Sequence, residues 1–131
     1  MKEVQVGTKG TASTMVDATK LAVTVKSGSL PVFSTPMMVA LMEQAACDAL
    51  SKFLDEEETS VGTSVTILHV AATPSGVQVS AEAEVTAVSG REITFRVTAN
   101  DRCGLIGEGT HKRFVVNAES FLEKTNAKRG K

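Results

Sequence analysis

The chain has 131 residues, of which 42% are hydrophobic and 22% charged, enough for one domain with a buried core. Fourteen Lys and Arg against fifteen Asp and Glu give a formal net charge of −1, which excludes an overall attraction to nucleic acid or anionic membrane. With no Trp, no Tyr and only five Phe, the core must come from Val, Ala, Leu, Ile and Met.

Residues 15–25 are rich in Val and Thr and predict a first strand, ended by Ser27-Gly28-Ser29 and Pro31. Ser34-Thr35-Pro36 then signals a helix start, with Thr35 as the expected cap and Pro36 at the first helical position, where its missing N–H costs nothing. Residues 37–54 follow helical periodicity. Gln44, Asp48, Ser51, Lys52 and Asp55 share one sector of the wheel, and Ala40, Ala45, Ala46 and Ala49 keep the helix thin enough to lie close on a sheet.

From Val61 the pattern changes to period two, predicting strands at residues 61–73, 77–88, 92–100 and 105–117. Pro74-Ser75-Gly76, Ser89-Gly90 and Arg102-Cys103-Gly104 are short turns, so consecutive strands are expected to pair as antiparallel hairpins. Residues 118–126 suggest a short helix, and Lys124, Lys128, Arg129 and Lys131 a loose, solvated basic tail over 124–131. One apolar helix and one antiparallel sheet make a two-layer α+β domain.

Three residues stand out. Glu43 lies roughly 125° from the centre of the helix's polar face, among Val39, Ala40, Ala46 and Cys47. A buried carboxylate there would have its pKa raised toward the range useful for proton transfer; an amphipathic side chain reaching the sheet edge is the plain alternative. His69 is in phase with Val65 and Ile67, on the face the helix should cover, either as a structural histidine or as a partner for Glu43. Thr35 is explained as a cap, yet the first helical turn also offers free N–H groups that can hold a carbonyl oxygen as it gains charge. Thr35 and Glu43 are about 12 Å apart along a straight helix, so a third group, a water or a second subunit must complete any shared site.

Gly62 opens its strand and Gly107 and Gly109 interrupt the last one, as bulges or as close approaches of backbone. His111 and Arg113 alternate on one face, fit to receive a phosphate or carboxylate or to sit on a solvated edge. No phosphate loop, dinucleotide fingerprint or serine elbow is present, and two histidines with no suitable Cys pattern argue against a zinc site or any other metal. Cys47 and Cys103 read as free thiols in a reducing compartment. The first residues, Met1-Lys2-Glu3-Val4-Gln5, are unlike a signal peptide, and no apolar run approaches the roughly 20 residues of a membrane span. A cytoplasmic location is expected.

The stretch Phe33-Ser34-Thr35-Pro36-Met37-Met38-Val39-Ala40-Leu41-Met42-Glu43 resembles the start of the central helix in the fluoroacetyl-CoA thioesterase family. So do Val61-Gly62-Thr63-Ser64-Val65 leading to Leu68-His69-Val70-Ala71-Ala72-Thr73-Pro74, and Gly107-Glu108-Gly109-Thr110-His111-Lys112-Arg113. The motifs occur in the family's order and spacing, and the resemblance runs from residue 6 to about 121. It implies a hot-dog fold, in which a five-stranded antiparallel sheet wraps one long central helix, filling residues 1–131 as a single domain. It also implies a homodimer with active sites at the interface. Thr35, Glu43 and His69 match the family's catalytic threonine, glutamate and histidine, and Gly62 and Arg113 match positions that contact the acyl group. The implied activity is hydrolysis of a small acyl-CoA thioester, with CoA entering as part of the substrate and no separate cofactor. The rival expectation is a non-catalytic module that binds acyl-CoA or a small acid as a dimer. Residues 25–33 are shorter than the aromatic-bearing segment that closes over the acyl group in the fluoroacetyl-specific enzyme, which points to a plainer acyl-CoA substrate.

Overall fold

The computed structural model describes residues 1–130. Strand β1 (Lys9–Met15) is followed by a 3-10 turn (Ala18–Lys20), the one-turn helix α1 (Ala22–Val25) and the long helix α2 (Thr35–Leu50). Then come β2 (Glu58–His69), β3 (Gln78–Ser89), β4 (Glu92–Asp101) and β5 (Gly104–Asn117), the helix α3 (Ala118–Asn126) and a last 3-10 turn (Ala127–Gly130). The strands form one antiparallel sheet in the order β1-β3-β4-β5-β2. Register shifts at Gly62/Ser64, Val85/Ala87 and Ala99/Asn100 add local twist, so the sheet curls around α2.

The expected α+β hot-dog architecture is what forms, because the two periodicities face each other. Met38, Leu41, Met42, Ala45, Ala46, Ala49 and Leu50 recur at three- and four-residue spacing and make the buried face of α2. Alternate residues of β3 and β4 (Val79, Ala81, Ala83, Val85 and Ile93, Phe95, Val97, Ala99) meet them. Each large apolar side chain removed from water contributes about 1.5–3 kcal/mol. The alanines of α2 let it sit close to the sheet, and Gly10 of β1 extends the same device: a Cβ there would run into the Ala45 carbonyl oxygen and the Ala49 nitrogen.

Four local expectations are corrected. The first strand is Lys9–Met15, not 15–25. Asp17 accepts from the Thr19 N–H at 2.9 Å and pairs with Lys20 at 2.7 Å, turning the chain. The Val- and Thr-rich stretch after it winds into α1, closed by Lys26 at φ 63°. The cap of α2 is Ser34, whose side chain accepts from the Met37 N–H, so Thr35 is already helical and its hydroxyl is free for other use. The helix stops at Leu50, short of the expected residue 54.

The fourth correction concerns pairing. Strands β3–β4 and β4–β5 are hairpins as expected, but β2 and β3 are not neighbours; β2 pairs with β5 at the sheet edge. The connection cannot fold straight back because its backbone is engaged elsewhere. The Val70 N–H donates to the Ile106 carbonyl at 2.7 Å, and the Thr73 carbonyl accepts from the Phe33 N–H at 2.8 Å. Those bonds carry residues 70–74 across the start of α2 and hold the end of β2 beside Thr35.

Candidate active site

The start of α2 and the end of β2 build the first cluster. Thr35 Oγ1 and His69 Nδ1 are 2.7 Å apart. The contact runs in either direction. A donating Nδ1–H leaves Nε2 as a free base, whereas a donating hydroxyl leaves Nε2–H as an acid. In both cases Nε2 is the reactive position, and it is a buried nitrogen with no hydrogen-bond partner among the described residues. Burial lowers the pKa of His69 from its ordinary 6.5, opposed in part by the backbone of Ala71. The imidazole is therefore neutral near pH 7, the form able to pass a proton either way. A cavity of about 260 Å³ opens beside the pair, lined by small and apolar groups that include Ala22, Val32, Phe33, Val70, Ala71 and Ala72. The first turn of α2 offers less than the sequence suggested. Ser34 engages the Met37 N–H and Pro36 has none, which leaves the Thr35 N–H and the positive end of the helix to face a developing negative charge.

The second cluster lies two turns along α2. Glu43 is not buried; its side chain is 39% exposed, on the same side of α2 as the exposed Thr35 and the half-buried Val39. Its Oε2 stands 3.5 Å from Arg113 Nη1. Gly62 forms the wall beside it, since a Cβ at that position would lie 2.8 Å from Glu43 Oε2 and 3.4 Å from Arg113 Nη1. The bulge expected of a strand glycine is found here, between Gly62 and Ser64. Gly107 borders a second bulge, where the β4–β5 register shifts between Ala99/Gly107 and Asn100/Leu105, and also clears space for Met38; Gly109 clears space for the backbone of Thr66 and Ile67.

His111 and Arg113 are neither edge residues nor an open anion site, because both are buried. Arg113 donates from Nε to Ser60 Oγ at 2.8 Å and from Nη2 to the Ser60 carbonyl at 2.9 Å, with Nη1 3.2 Å from His111 Nε2. Sequence reasoning noted the alternation of His111 and Arg113 but missed Ser60 and Ser64 as their partners. No pattern in a strand of Ser and Thr separates those two from their neighbours.

Within one chain the clusters are apart. Gly62 and His69 stand roughly 20 Å from each other along β2 at the ordinary strand rise of about 3.3 Å per residue, and Thr35 and Glu43 are about 12 Å apart along α2. Each chain thus carries two half-sites rather than one closed triad. A larger cavity of about 490 Å³ lies between β5 and α3, lined by Arg91, Phe114, Phe121 and Lys124 among others. It holds no histidine, and its carboxylate Glu58 is held down to about 2 by the Asp55 N–H, the N-terminal amine and Arg91. That acid is committed to structure.

The model of the family described as "Fluoroacetyl-CoA-specific thioesterase" matches residues 16–119. The chain belongs to that family. It is 43% identical over 97 residues to the fluoroacetyl-CoA thioesterase of Streptantibioticus cattleyicolor, covering 74% of this chain and 70% of that one. A solved fluoroacetyl-CoA thioesterase superposes with a TM-score of 0.90 at 36% identity, over 97% of this chain and 98% of its own. A thioesterase superfamily member from Thermus thermophilus gives 0.91 at 25% identity, over 99% and 96%. A hot-dog-like protein from Thermanaerovibrio acidaminovorans gives 0.83 at 29%, over 95% and 91%. The chain is accordingly a thioester hydrolase of the hot-dog fold, and its reaction is hydrolysis of a small acyl-CoA thioester. Among its described residues no helix is long and apolar enough to cross a membrane.

Proposed function

We propose that this thioesterase works as a homodimer in which Thr35 and His69 of one copy face Glu43, Gly62 and Arg113 of the other. The single observation that carries the reading is the division into half-sites: a hydroxyl bonded to a neutral imidazole with a free buried nitrogen, and a half-exposed carboxylate beside a guanidinium, too far apart to act together in one chain. Two surfaces support a second copy. Strand β2 is a long edge strand of twelve residues, none fully buried, with Val65 and Leu68 exposed; such edges pair unless blocked. On the same chain Thr35, Ala40 and Cys47 of α2 are exposed and Val39 and Glu43 between them only half-buried.

In the proposed reaction the thioester carbonyl lies at the start of α2, where the Thr35 N–H and the helix end stabilise the oxyanion. Glu43 supplies the attack, as general base on water or as nucleophile. The tetrahedral intermediate then collapses, the C–S bond breaks, and the thiolate takes a proton relayed through His69. In the water route Glu43 takes a proton from the attacking water, one oxygen of the acid product comes from that water, and the Glu43 proton then passes to His69 to replace the one given to the thiolate. In the covalent route an acyl-glutamate anhydride is hydrolysed in a second step. Single turnover in ¹⁸O-water with trapping of an acyl-enzyme separates them: a trapped anhydride, or label in the Glu43 carboxyl from water attack at its own carbonyl, belongs to the covalent route alone. Gly62 and Arg113 border the acyl group.

The segment before α2 favours a plainer small acyl-CoA over fluoroacetyl-CoA as substrate. Residues 26–33 form a tight strap, with the Ala22 N–H bonded to the Val32 carbonyl and the Val23 N–H to the Leu30 carbonyl, and no aromatic side chain before Phe33, itself buried in the core. The exposed, unpaired thiols of Cys47 and Cys103 fit a reducing cytoplasm. Assay of a panel of short, branched and aromatic acyl-CoAs with the wild type and Thr35, Glu43 and His69 variants tests the assignment. Hydrolysis by Glu43→Ala at the wild-type rate would remove it.

A further inference from the structure

We infer that His111 is a positioning residue for the reaction, holding the Arg113 guanidinium so that its Nη1 faces Glu43. The inference rests on the reading that Glu43 acts in hydrolysis. Buried polar side chains are tolerated where their hydrogen bonds are met. Of the four such residues among those described, Ser34 is explained as a helix cap and Thr73 by its bond to Asp101 Oδ2 at 2.8 Å. His111 and Arg113 remain, and they abut the Glu43 carboxylate.

The tautomer of His111 is fixed by its surroundings. Nδ1 is 2.8 Å from the Ser64 carbonyl oxygen, which only accepts, so Nδ1 carries the proton and Nε2 the lone pair. That lone pair accepts from Arg113 Nη1 at 3.2 Å. The ring cannot swing away, because Phe95 of β4 stacks on it at 6.1 Å between centroids and 25° between planes. The bulge between Gly62 and Ser64 brings the Ser64 carbonyl to the ring, and the missing side chain at Gly62 lets His111, Arg113 and Glu43 meet, a Cβ there lying 3.3 Å from His111 Cε1. With Ser60 taking Nε and Nη2 and His111 taking one N–H of Nη1, Nη1 is held 3.5 Å from Glu43 Oε2 as an ion pair. The guanidinium thus sets the charge that faces the Glu43 carboxylate from the sheet side. Arg113 and Glu43 are the charged groups facing the ring, from its own strand and from α2, and burial keeps the ring neutral.

Two polar variants separate the halves of the device. His111→Gln places an acceptor near the position of Nε2 and keeps the Arg113 bond. His111→Asn keeps a donor for the Ser64 carbonyl but does not reach Arg113. For folded proteins, checked by circular dichroism and thermal melting, His111→Asn is expected to lose kcat by roughly 10- to 100-fold at unchanged KM, the penalty of a misplaced reacting group. His111→Gln is expected to keep most of kcat. Equal kcat for the two variants, or a loss that falls on KM alone, overturns the inference. Glu43→Ala serves as the control. If it is inactive while His111→Asn turns over at the wild-type rate, the positioning role fails and the proposed reaction stands. If Glu43→Ala is fully active, both fall.

Discussion

At Thr35 the hydroxyl is available only because the neighbouring Ser34 takes the capping role, which leaves Oγ1 to bond His69 Nδ1. Thr35→Ser preserves that bond and is expected to keep activity within the wild-type order of magnitude, whereas Thr35→Ala lowers kcat by roughly 10²-fold, read in steady-state hydrolysis. Glu43→Gln keeps the shape and the contact with Arg113 but cannot accept a proton, and a loss of about 10²- to 10⁴-fold in kcat is expected. Stability carries a pH signature from the two histidines. Both have folded-state pKa values below the ordinary 6.5, chiefly through burial, so the folded chain binds fewer protons than the unfolded one and stability rises with pH. Their contribution is complete above 6.5 and is lost as pH falls toward the folded values. Melting temperature should therefore decline below pH 6.5, and the decline should be shallower in His111→Gln; a Tm independent of pH across that window contradicts the burial of both rings. The sequence made Glu43 and His69 visible because each is a polar group out of place in an apolar period, and Thr35 because it stands at a helix start. It hid the environment of Glu43, since helical phase alone does not say that the sheet covers that side chain only in part, through Gly62 and Arg113.

Among the elements, the strands from β3 onward were readable because alternating Val, Ala, Ile and Phe face the core. Strand β1 was not, because Lys9–Met15 is built of Thr, Ser, Ala and Gly, and its fit depends on what is missing from Gly10 rather than on what is present. Gly10→Ala drives a methyl into the backbone of α2 at Ala45 and Ala49, and a destabilisation of about 1–3 kcal/mol is expected in chemical denaturation. Gly62→Ala meets movable side-chain atoms instead, so it is expected to leave the fold standing while displacing the Glu43 carboxylate and reducing kcat by about tenfold or more. An equal loss of stability in both variants contradicts this distinction. The place of β2 in the sheet was also out of reach of local pattern. Short turns favour neighbours in sequence, but the bonds from Val70 and Thr73 to Ile106 and Phe33 send the chain across instead.

For the whole molecule, the single chain is well packed yet unfinished at one side, where the outer edge of β2 has no strand partner and Thr35, Val39 and Glu43 of α2 are exposed or half-exposed. A charge placed at Val65, as in Val65→Asp, is expected to shift the protein from dimer to monomer in sedimentation and to remove activity with it. The most direct test of the two-copy centre is subunit complementation between Glu43→Ala and His69→Ala, each inactive alone. If Thr35 and His69 of one copy serve Glu43 of the other, co-refolded mixtures contain hybrids with one intact centre, and random pairing restores roughly a quarter of wild-type activity. Activity no greater than the sum of the separate variants would contradict a centre shared between copies.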